Sequence, residues 1–183
     1  MKHKKVKMLC EGAILIALAQ ILSYLSIYHF PNGGSVDVAM LPIIIFSVRY
    51  GWGWGTLAGF VYGILQYFQG HGSIDWVSII ADYLVAYAAL GLGAGLMRGK
   101  KHAMVKGALL GGLFRFLVHF FAGAVVWGKY MPDTYFGMTM TSEWFYSFLY
   151  NVPYMGLCIA VCVVLILLLQ KPLKKYFTGQ DLQ

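Results

Sequence analysis

Residues 113–122 read Leu-Phe-Arg-Phe-Leu-Val-His-Phe-Phe-Ala, an apolar stretch in which two ionisable side chains, Arg115 and His119, lie one helical turn apart. A second apolar stretch, residues 79–85, contains the carboxylate of Asp82. Ionisable groups at the depth of a bilayer are costly and rare, and they usually pair with one another or line a polar path or a ligand site. If these stretches cross a membrane, the three side chains are the first candidates for a functional site.

The composition indicates a membrane protein. Of the 183 residues, 60% are hydrophobic and 11% are charged, whereas about 25% of the residues in a typical soluble domain are charged. Several apolar stretches of roughly 20 residues are long enough to cross a hydrocarbon core of about 30 Å. The first of them follows a basic segment, 1–7, and we interpret it as a membrane span rather than a removable signal peptide, because no convincing cleavage site follows it.

The sequence predicts an all-α integral membrane protein with a single domain, 1–183, and with both termini in the cytoplasm. The six predicted spans are 8–28, 38–50, 53–70, 76–97, 104–127 and 143–169. This arrangement places all but two of the 14 Lys and Arg residues on the cytoplasmic side, where positive charge gathers. The exceptions are Lys129, in an outer loop, and Arg115, within a span. We therefore attribute the net charge of +7 to topology and to attraction for anionic lipid, and predict no nucleic-acid partner.

Polar side chains from three spans are predicted at one depth in the outer half of the bundle. At about 1.5 Å per residue, Asp82 lies about 10 Å below the outer end of its span, and His119 and Asn151 lie about 12 Å below theirs. Tyr146 lies about one turn into the last span, and a kink at Pro153 would bring it toward the same cavity as Asn151. The sequence thus predicts one polar pocket that opens to the outside.

The fifth span carries a stripe of functional candidates on one face. Arg115, His119, Gly123 and Trp127 recur at every fourth residue, so they share one side of a helix. Together with the carboxylate of Asp82, this face offers an anion, hydrogen-bonding groups and an aromatic ring. That combination suits a flat, polar, cationic small molecule, held by the carboxylate and by cation–π contact. The turn-rich outer segments 29–37, 69–75 and 128–142 are candidates for a mobile lid, with plain connectors as the alternative.

Each candidate also has a structural interpretation. The alternatives are an ion pair between helices for Asp82 with Arg115, a packed histidine for His119, an interfacial anchor for Trp127, and interhelical hydrogen bonding for Tyr146 and Asn151.

Catalysis is the weaker interpretation. The sequence contains no Gly-x-Ser-x-Gly elbow, no His-Glu-x-x-His motif and no phosphate-binding loop, since Gly99-Lys100-Lys101 lacks the rest of that motif. A small intramembrane enzyme that uses His119 as acid or base remains the alternative. The three cysteines, Cys10, Cys158 and Cys162, are interpreted as small buried hydrophobes, and neither a metal site nor a cofactor is predicted.

The first span contains a pattern that suits contact with another helix. Ala13 and Ala17 are separated by three residues, and small residues at this spacing let another helix approach closely. The partner is either another protein or a helix of the same bundle.

Several of these motifs together resemble the thiamine-specific substrate-binding (S) components of energy-coupling factor (ECF) transporters. The resemblance covers nearly the whole chain and rests on five motifs: Ala13-xxx-Ala17, Gly33-Gly-Ser-Val-Asp-Val-Ala-Met-Leu-Pro42, Asp82-Tyr83, Arg115-xxx-His119-xxx-Gly123-xxx-Trp127 and Tyr146-Ser-xxx-Asn151. Some members of the family carry Glu at the position of Asp82 and Lys at that of Arg115.

The resemblance implies a high-affinity thiamine-binding subunit, without enzymatic activity, in the plasma membrane of a prokaryote. Its implied thiamine-site residues are Asp82, Tyr83, His119, Trp127, Tyr146 and Asn151, with Arg115 as a supporting ion-pair partner. It also implies that Ala13 and Ala17 contact a membrane-embedded coupling protein (the T component), which two ATPases drive. The alternative within transport is an S component for another vitamin or precursor.

Overall fold

The computed structural model describes residues 2–30, 34–69 and 75–182. Within these ranges the chain forms helices α1 (Lys2–Tyr24), α2 (Met40–Tyr50), α3 (Trp52–Phe68), α4 (Trp76–Gly95), α5 (Ala103–Tyr130), α6 (Glu143–Leu169) and α7 (Lys174–Phe177), followed by a 3₁₀ turn, Gln180–Leu182. Two short antiparallel hairpins pair β1 (Tyr28–His29) with β2 (Ser35–Val36) and β3 (Thr134–Tyr135) with β4 (Met138–Thr139). The protein is therefore all-α in class, as predicted.

Among the described residues, four helices are long and apolar enough to cross a membrane: His3–Tyr24, Trp76–Gly95, Ala103–Tyr130 and Glu143–Leu169. Helix α2 is apolar but has only 11 residues, about 16 Å of length at 1.5 Å per residue. Helix α3 has 17 residues, or about 25 Å. These helices confirm a membrane protein of the helical class.

The first span differs most from its predicted bounds of 8–28. Helix α1 begins at Lys2, because the basic segment before residue 8 continues the helix and Lys is a good helix former. The helix ends at Tyr24, because Tyr28 already pairs with Val36 in the first hairpin. The polar connector that follows α1 is thus longer than the sequence indicated.

Helix α2 forms the centre of the bundle. All of its residues from Met40 to Arg49 are buried, and it packs against α1, α3, α4 and α5. Its polar side chains, Ser47 and Arg49, are buried together with its apolar ones, so this helix presents no face at the surface of the bundle.

Helices α3 and α4 approach each other backbone to backbone. We call the surface formed by Gly55, Gly59 and Gly63 of α3 and Gly91 of α4 the glycine contact. A Cβ atom built on Gly59, Gly63 or Gly91 would overlap backbone atoms of the facing helix. Small residues at this spacing permit such close packing in membrane helices, and α4 carries Asp82 at this short distance from α3.

Both ends of the described chain lie at one end of the bundle, which we call the terminal end. The Lys7 ammonium of α1 donates a hydrogen bond to the backbone carbonyl of Asp181 at 2.9 Å. The two hairpins lie at the opposite, distal end, because each follows a helix that runs away from the terminal end.

A buried arginine holds the terminal end together. The Arg49 side chain is fully buried and donates to the Glu11 carboxylate at 2.5 and 3.1 Å and to that of Asp181 at 2.8 and 2.9 Å. The Tyr50 and Tyr176 hydroxyls donate to Glu11 at 2.7 and 2.6 Å. The hydrogen bonds from Arg49 lower the pKa of Asp181 to about 2. Two carboxylates thus compensate the buried guanidinium, whose desolvation would otherwise be costly.

Candidate functional site

The Asp82 carboxylate accepts hydrogen bonds from three side chains in the distal half of the bundle. Its Oδ1 lies 2.9 Å from Nδ1 of His119. Its Oδ2 accepts from the Ser78 hydroxyl at 2.6 Å and from the Trp127 indole N–H at 3.1 Å. Ser78 belongs to the same helix, whereas His119 and Trp127 come from α5. The carboxylate side chain is 18% exposed, so it is largely but not completely withdrawn from solvent.

His119 lies between Asp82 and Arg115. The Arg115 Nε–H donates to Nε2 of His119 at 3.2 Å, so Nε2 must carry a lone pair. We therefore assign the proton of a neutral imidazole to Nδ1, from which it is donated to Asp82. Among the described residues, no ion pair within 4.0 Å joins Asp82 directly to Arg115. The direct ion pair that the sequence left open as a structural alternative is therefore not formed, because the imidazole separates the two charges.

Arg115 is fixed by an aromatic partner on α4. Its guanidinium donates to the Tyr87 hydroxyl at 3.0 Å, and its Cζ lies 4.2 Å from the centre of the Tyr87 ring. Tyr87 is itself buried. The cation is thus stabilised by a hydrogen bond and by a cation–π contact, which act together in a site with little water.

Asn151 meets the site from α6. Its amide nitrogen donates to the Ser147 carbonyl at 2.8 Å and lies 3.5 Å from the His119 carbonyl. Its carbonyl oxygen accepts from the Tyr154 hydroxyl at 2.9 Å. Helices α5 and α6 come this close because Gly123 has no side chain, since a Cβ there would lie 3.2 Å from the Asn151 amide nitrogen.

Tyr146 and Tyr83 face the periphery of the site. The Tyr146 ring lies 5.4 Å from that of Tyr135 in β3 and 6.1 Å from that of Tyr150. The Tyr83 ring lies 5.8 Å from that of Tyr67 on α3. Of the predicted residues, the structure therefore brings Asp82, His119 and Trp127 into direct contact and places Asn151 beside them. Tyr146 and Tyr83 lie in flanking aromatic groups.

Two π-helical segments carry the site. Ile79–Val85 contains Asp82 and Tyr83, and Gly123–Trp127 ends at the indole that contacts Asp82. Hydrogen bonds from residue i to i+5 widen the turn and redirect the side chains that follow, and such segments are frequent at functional sites.

Sequence reasoning missed Ser78, Tyr87 and Tyr154. The signal for Ser78 was its position one turn before Asp82, on the same helix face. Tyr87 and Tyr154 looked like ordinary buried aromatic residues. Tyr154 packs against the site, with its ring 6.4 Å from that of His119.

The predicted lid segments lie only partly within the described residues. In the first, 29–37, Ser35 of β2 accepts a hydrogen bond at its carbonyl from Cys158 Sγ at 3.3 Å. Gly34 has φ +70°, and a Cβ there would lie 3.0 Å from the Tyr154 ring. The first hairpin therefore rests directly on α6. Residues 31–33 and 70–74, which include Gly33 of the family motif and most of the second segment, lie outside the described residues.

Ala13 and Ala17 are both exposed on α1, whereas Gly12, Leu15 and Ala19 are the buried residues of that part of the helix. The two alanines thus point away from the bundle to which they belong.

The three cysteines also differ in exposure. Cys158 and Cys162 are buried, as predicted, but Cys10 is exposed because it lies on the outer side of α1.

Comparisons with known proteins show which family this chain resembles. A family model described as "Thiamine transporter protein" matches residues 9–178. The thiamine transporter ThiT of Bacillus subtilis (strain 168) is 33% identical, over 92% of each chain. ThiT of Lacticaseibacillus paracasei is 29% identical over 82% of this chain and 80% of its own. A solved structure of ThiT from Listeria monocytogenes superposes with a TM-score of 0.79 at 21% identity, covering 95% of this chain and 98% of the other, which shows a shared fold.

Proposed function

The chain belongs to the thiamine transporter protein family, and we propose on that premise that it binds thiamine at the cluster formed by Asp82, His119 and Trp127. Thiamine joins an aminopyrimidine to a cationic thiazolium ring. The carboxylate accepts a hydrogen bond from the amino group, and its negative charge attracts the cation. The indole supplies a flat face for either ring. Tyr83, Tyr146 and Asn151 line the remainder of the site.

Within this proposal, Arg115 and His119 keep the carboxylate in place. A neutral imidazole that donates from Nδ1 holds Oδ1 of Asp82, and Arg115 holds the imidazole in that tautomer. This arrangement leaves Asp82 ionised and correctly oriented before thiamine arrives. A preorganised anion raises affinity, because less ordering is needed on binding.

We further propose that the protein is the high-affinity S component of an ECF-type transporter in the plasma membrane of a prokaryote. The distal end faces outward, both termini lie in the cytoplasm, and six spans cross the membrane. The resemblance to S components supports two partner ATPases as the source of energy, acting through a membrane-embedded coupling protein. The exposed Ala13 and Ala17 provide the docking face for that protein.

The observation that carries the proposal is the 3.1 Å contact between Asp82 and the Trp127 indole. A ligand held by this carboxylate must lie against Trp127, so thiamine should quench tryptophan fluorescence of the detergent-purified protein at submicromolar concentration. Trp127→Phe should lose the quenching while calorimetry still detects binding. The matched change at the exposed Trp144 should leave the quenching intact. If wild-type protein shows neither quenching nor a heat of binding, thiamine is not its substrate.

A further inference from the structure

A cavity lies at the terminal end of the bundle, and Asp82, His119 and Trp127 are not among the residues that line it. It is a half-open cleft of about 740 Å³ between the end of α4, the start of α5 and the end of α6. Its apolar wall contains Val48, Met104, Ile166 and Phe177, all of which are buried. The proposed function makes no use of this cleft.

The rim of the cleft is strongly basic. Arg98 and Lys100 contribute from the α4–α5 connector, and Lys171 and Lys174 from the segment that follows α6. No Asp or Glu is among the described residues that line it. Unlike Arg49, whose charge is compensated by two carboxylates, these four cations have no ion-pair partner within the described part of the chain. Their positive potential is therefore available to a ligand.

The remaining geometry also favours an anion. The Arg98 guanidinium donates to the Tyr50 carbonyl at 3.1 Å, which anchors it at the rim. The lining includes Ala103, Met104 and Val105, the first turn of α5. No side chain caps that helix, so its first N–H groups add partial positive charge to the four side-chain cations.

We propose that this cleft binds the phosphate headgroup of an anionic phospholipid. The cleft lies where three long apolar helices end, Trp76–Gly95, Ala103–Tyr130 and Glu143–Leu169, and this is the level of the lipid headgroups. Basic pockets between membrane helices bind anionic headgroups. The basic rim matches the phosphate, and the apolar wall matches the glycerol backbone and the first carbons of an acyl chain. A free phosphate compound would use the rim but leave that wall empty.

The test is native mass spectrometry of the full-length protein in detergent, titrated with phosphatidylglycerol or with zwitterionic phosphatidylcholine. The test variant is Lys100→Gln/Lys171→Gln/Lys174→Gln. The matched control, Lys4→Gln/Lys5→Gln/Lys106→Gln, removes the same charge from exposed residues that do not line the cleft. Thermal unfolding and thiamine binding are measured for both, to show that each variant is folded.

We expect wild type and control to retain phosphatidylglycerol, and the cleft variant to bind it at least about tenfold more weakly, because three of the four cations at the rim that would contact the phosphate are removed. Thiamine binding should be unchanged in both variants. Equal weakening in both variants would overturn the proposal in favour of diffuse surface attraction. Binding of glycerol 1-phosphate as tight as that of phosphatidylglycerol would also overturn it, because the apolar wall would then contribute nothing and the ligand would be a free phosphate compound. Wild-type affinity of the cleft variant for phosphatidylglycerol would overturn it as well.

Discussion

Replacing Asp82 by Asn tests the proposed site most directly. The carboxylate accepts from His119 at one oxygen and from Ser78 and Trp127 at the other. An amide of the same shape has one acceptor and one donor. If its oxygen faces His119, its NH₂ group faces the donors of Ser78 and Trp127. If it is reversed, its NH₂ group faces the Nδ1–H of His119.

At least one largely buried donor therefore loses its acceptor in either orientation, which costs about 1–3 kcal/mol of stability in the empty protein. The 3–5 kcal/mol typical of breaking a direct buried ion pair is not expected, because Arg115 contacts His119 rather than Asp82. Loss of a charge-assisted hydrogen bond to thiamine, worth about 1.5–3 kcal/mol, should raise Kd by about 10- to 150-fold.

Calorimetric titration with thiamine measures the affinity of detergent-purified Asp82→Asn, and thermal unfolding without ligand measures its stability. Asp133→Asn is the matched control, because this carboxylate is exposed in the distal loop and should leave both quantities unchanged. Wild-type affinity in Asp82→Asn would refute the assignment of the site. A loss of stability with unchanged affinity would assign Asp82 a purely structural role.

Three further sets of substitutions test the docking face, the contact between Arg115 and Tyr87, and the ion pair of Asp181. Ala13→Trp or Ala17→Trp should leave thiamine binding to the isolated protein intact but abolish uptake and assembly with the coupling protein; a variant that lost binding yet still assembled would contradict the docking face. Tyr87→Phe removes the acceptor of the Arg115 hydrogen bond at 3.0 Å, so thermal unfolding should report a loss of about 1.5–3 kcal/mol, and an unchanged midpoint would contradict this role. The folded-state pKa of Asp181 is about 2, below the ordinary 3.8. Its ion pair with Arg49 therefore stabilises the folded protein above a pH of about 4, and this contribution is lost as the pH falls toward 2. Asp181→Asn should lack that part of the acid dependence, so parallel stability curves for variant and wild type between pH 2 and 4 would argue against the pair.

The helices could largely be predicted because their signals are local. Helices α4 and α6 begin at Trp76 and Glu143, as expected, and each follows a capping residue: Asp75 accepts from the Val77 N–H at 2.9 Å and Ser142 from the Phe145 N–H at 3.2 Å. The end of α1 was wrong by several residues. Its boundary depends on the pairing of Tyr28 with Val36, a contact that hydropathy does not report.

The depth of the site residues was also predictable, because the rise per residue is nearly constant. It correctly placed Asp82 and His119 at one level, where they are hydrogen-bonded. Direction around the helix axis was predictable only in part. The i, i+4 stripe correctly put His119 and Trp127 on one face, since both contact Asp82. The sequence left open a direct pair between Asp82 and Arg115, and it did not suggest the imidazole that lies between them. The ring of Tyr146 packs against that of Tyr135. Tyr135 belongs to the second hairpin, which the hydropathy of the sequence does not reveal.

The glycine contact between α3 and α4 constrains how a ligand reaches the interior. Helices separated by a layer of side chains can slide as those side chains change rotamer, but no such layer separates these two backbones at Gly59 and Gly91. The pair should therefore move as one rigid body. Opening between α4 and α5 would break the hydrogen bonds that orient Asp82. We therefore expect a ligand to enter on the side of the two hairpins, rather than between α3 and α4 or between α4 and α5.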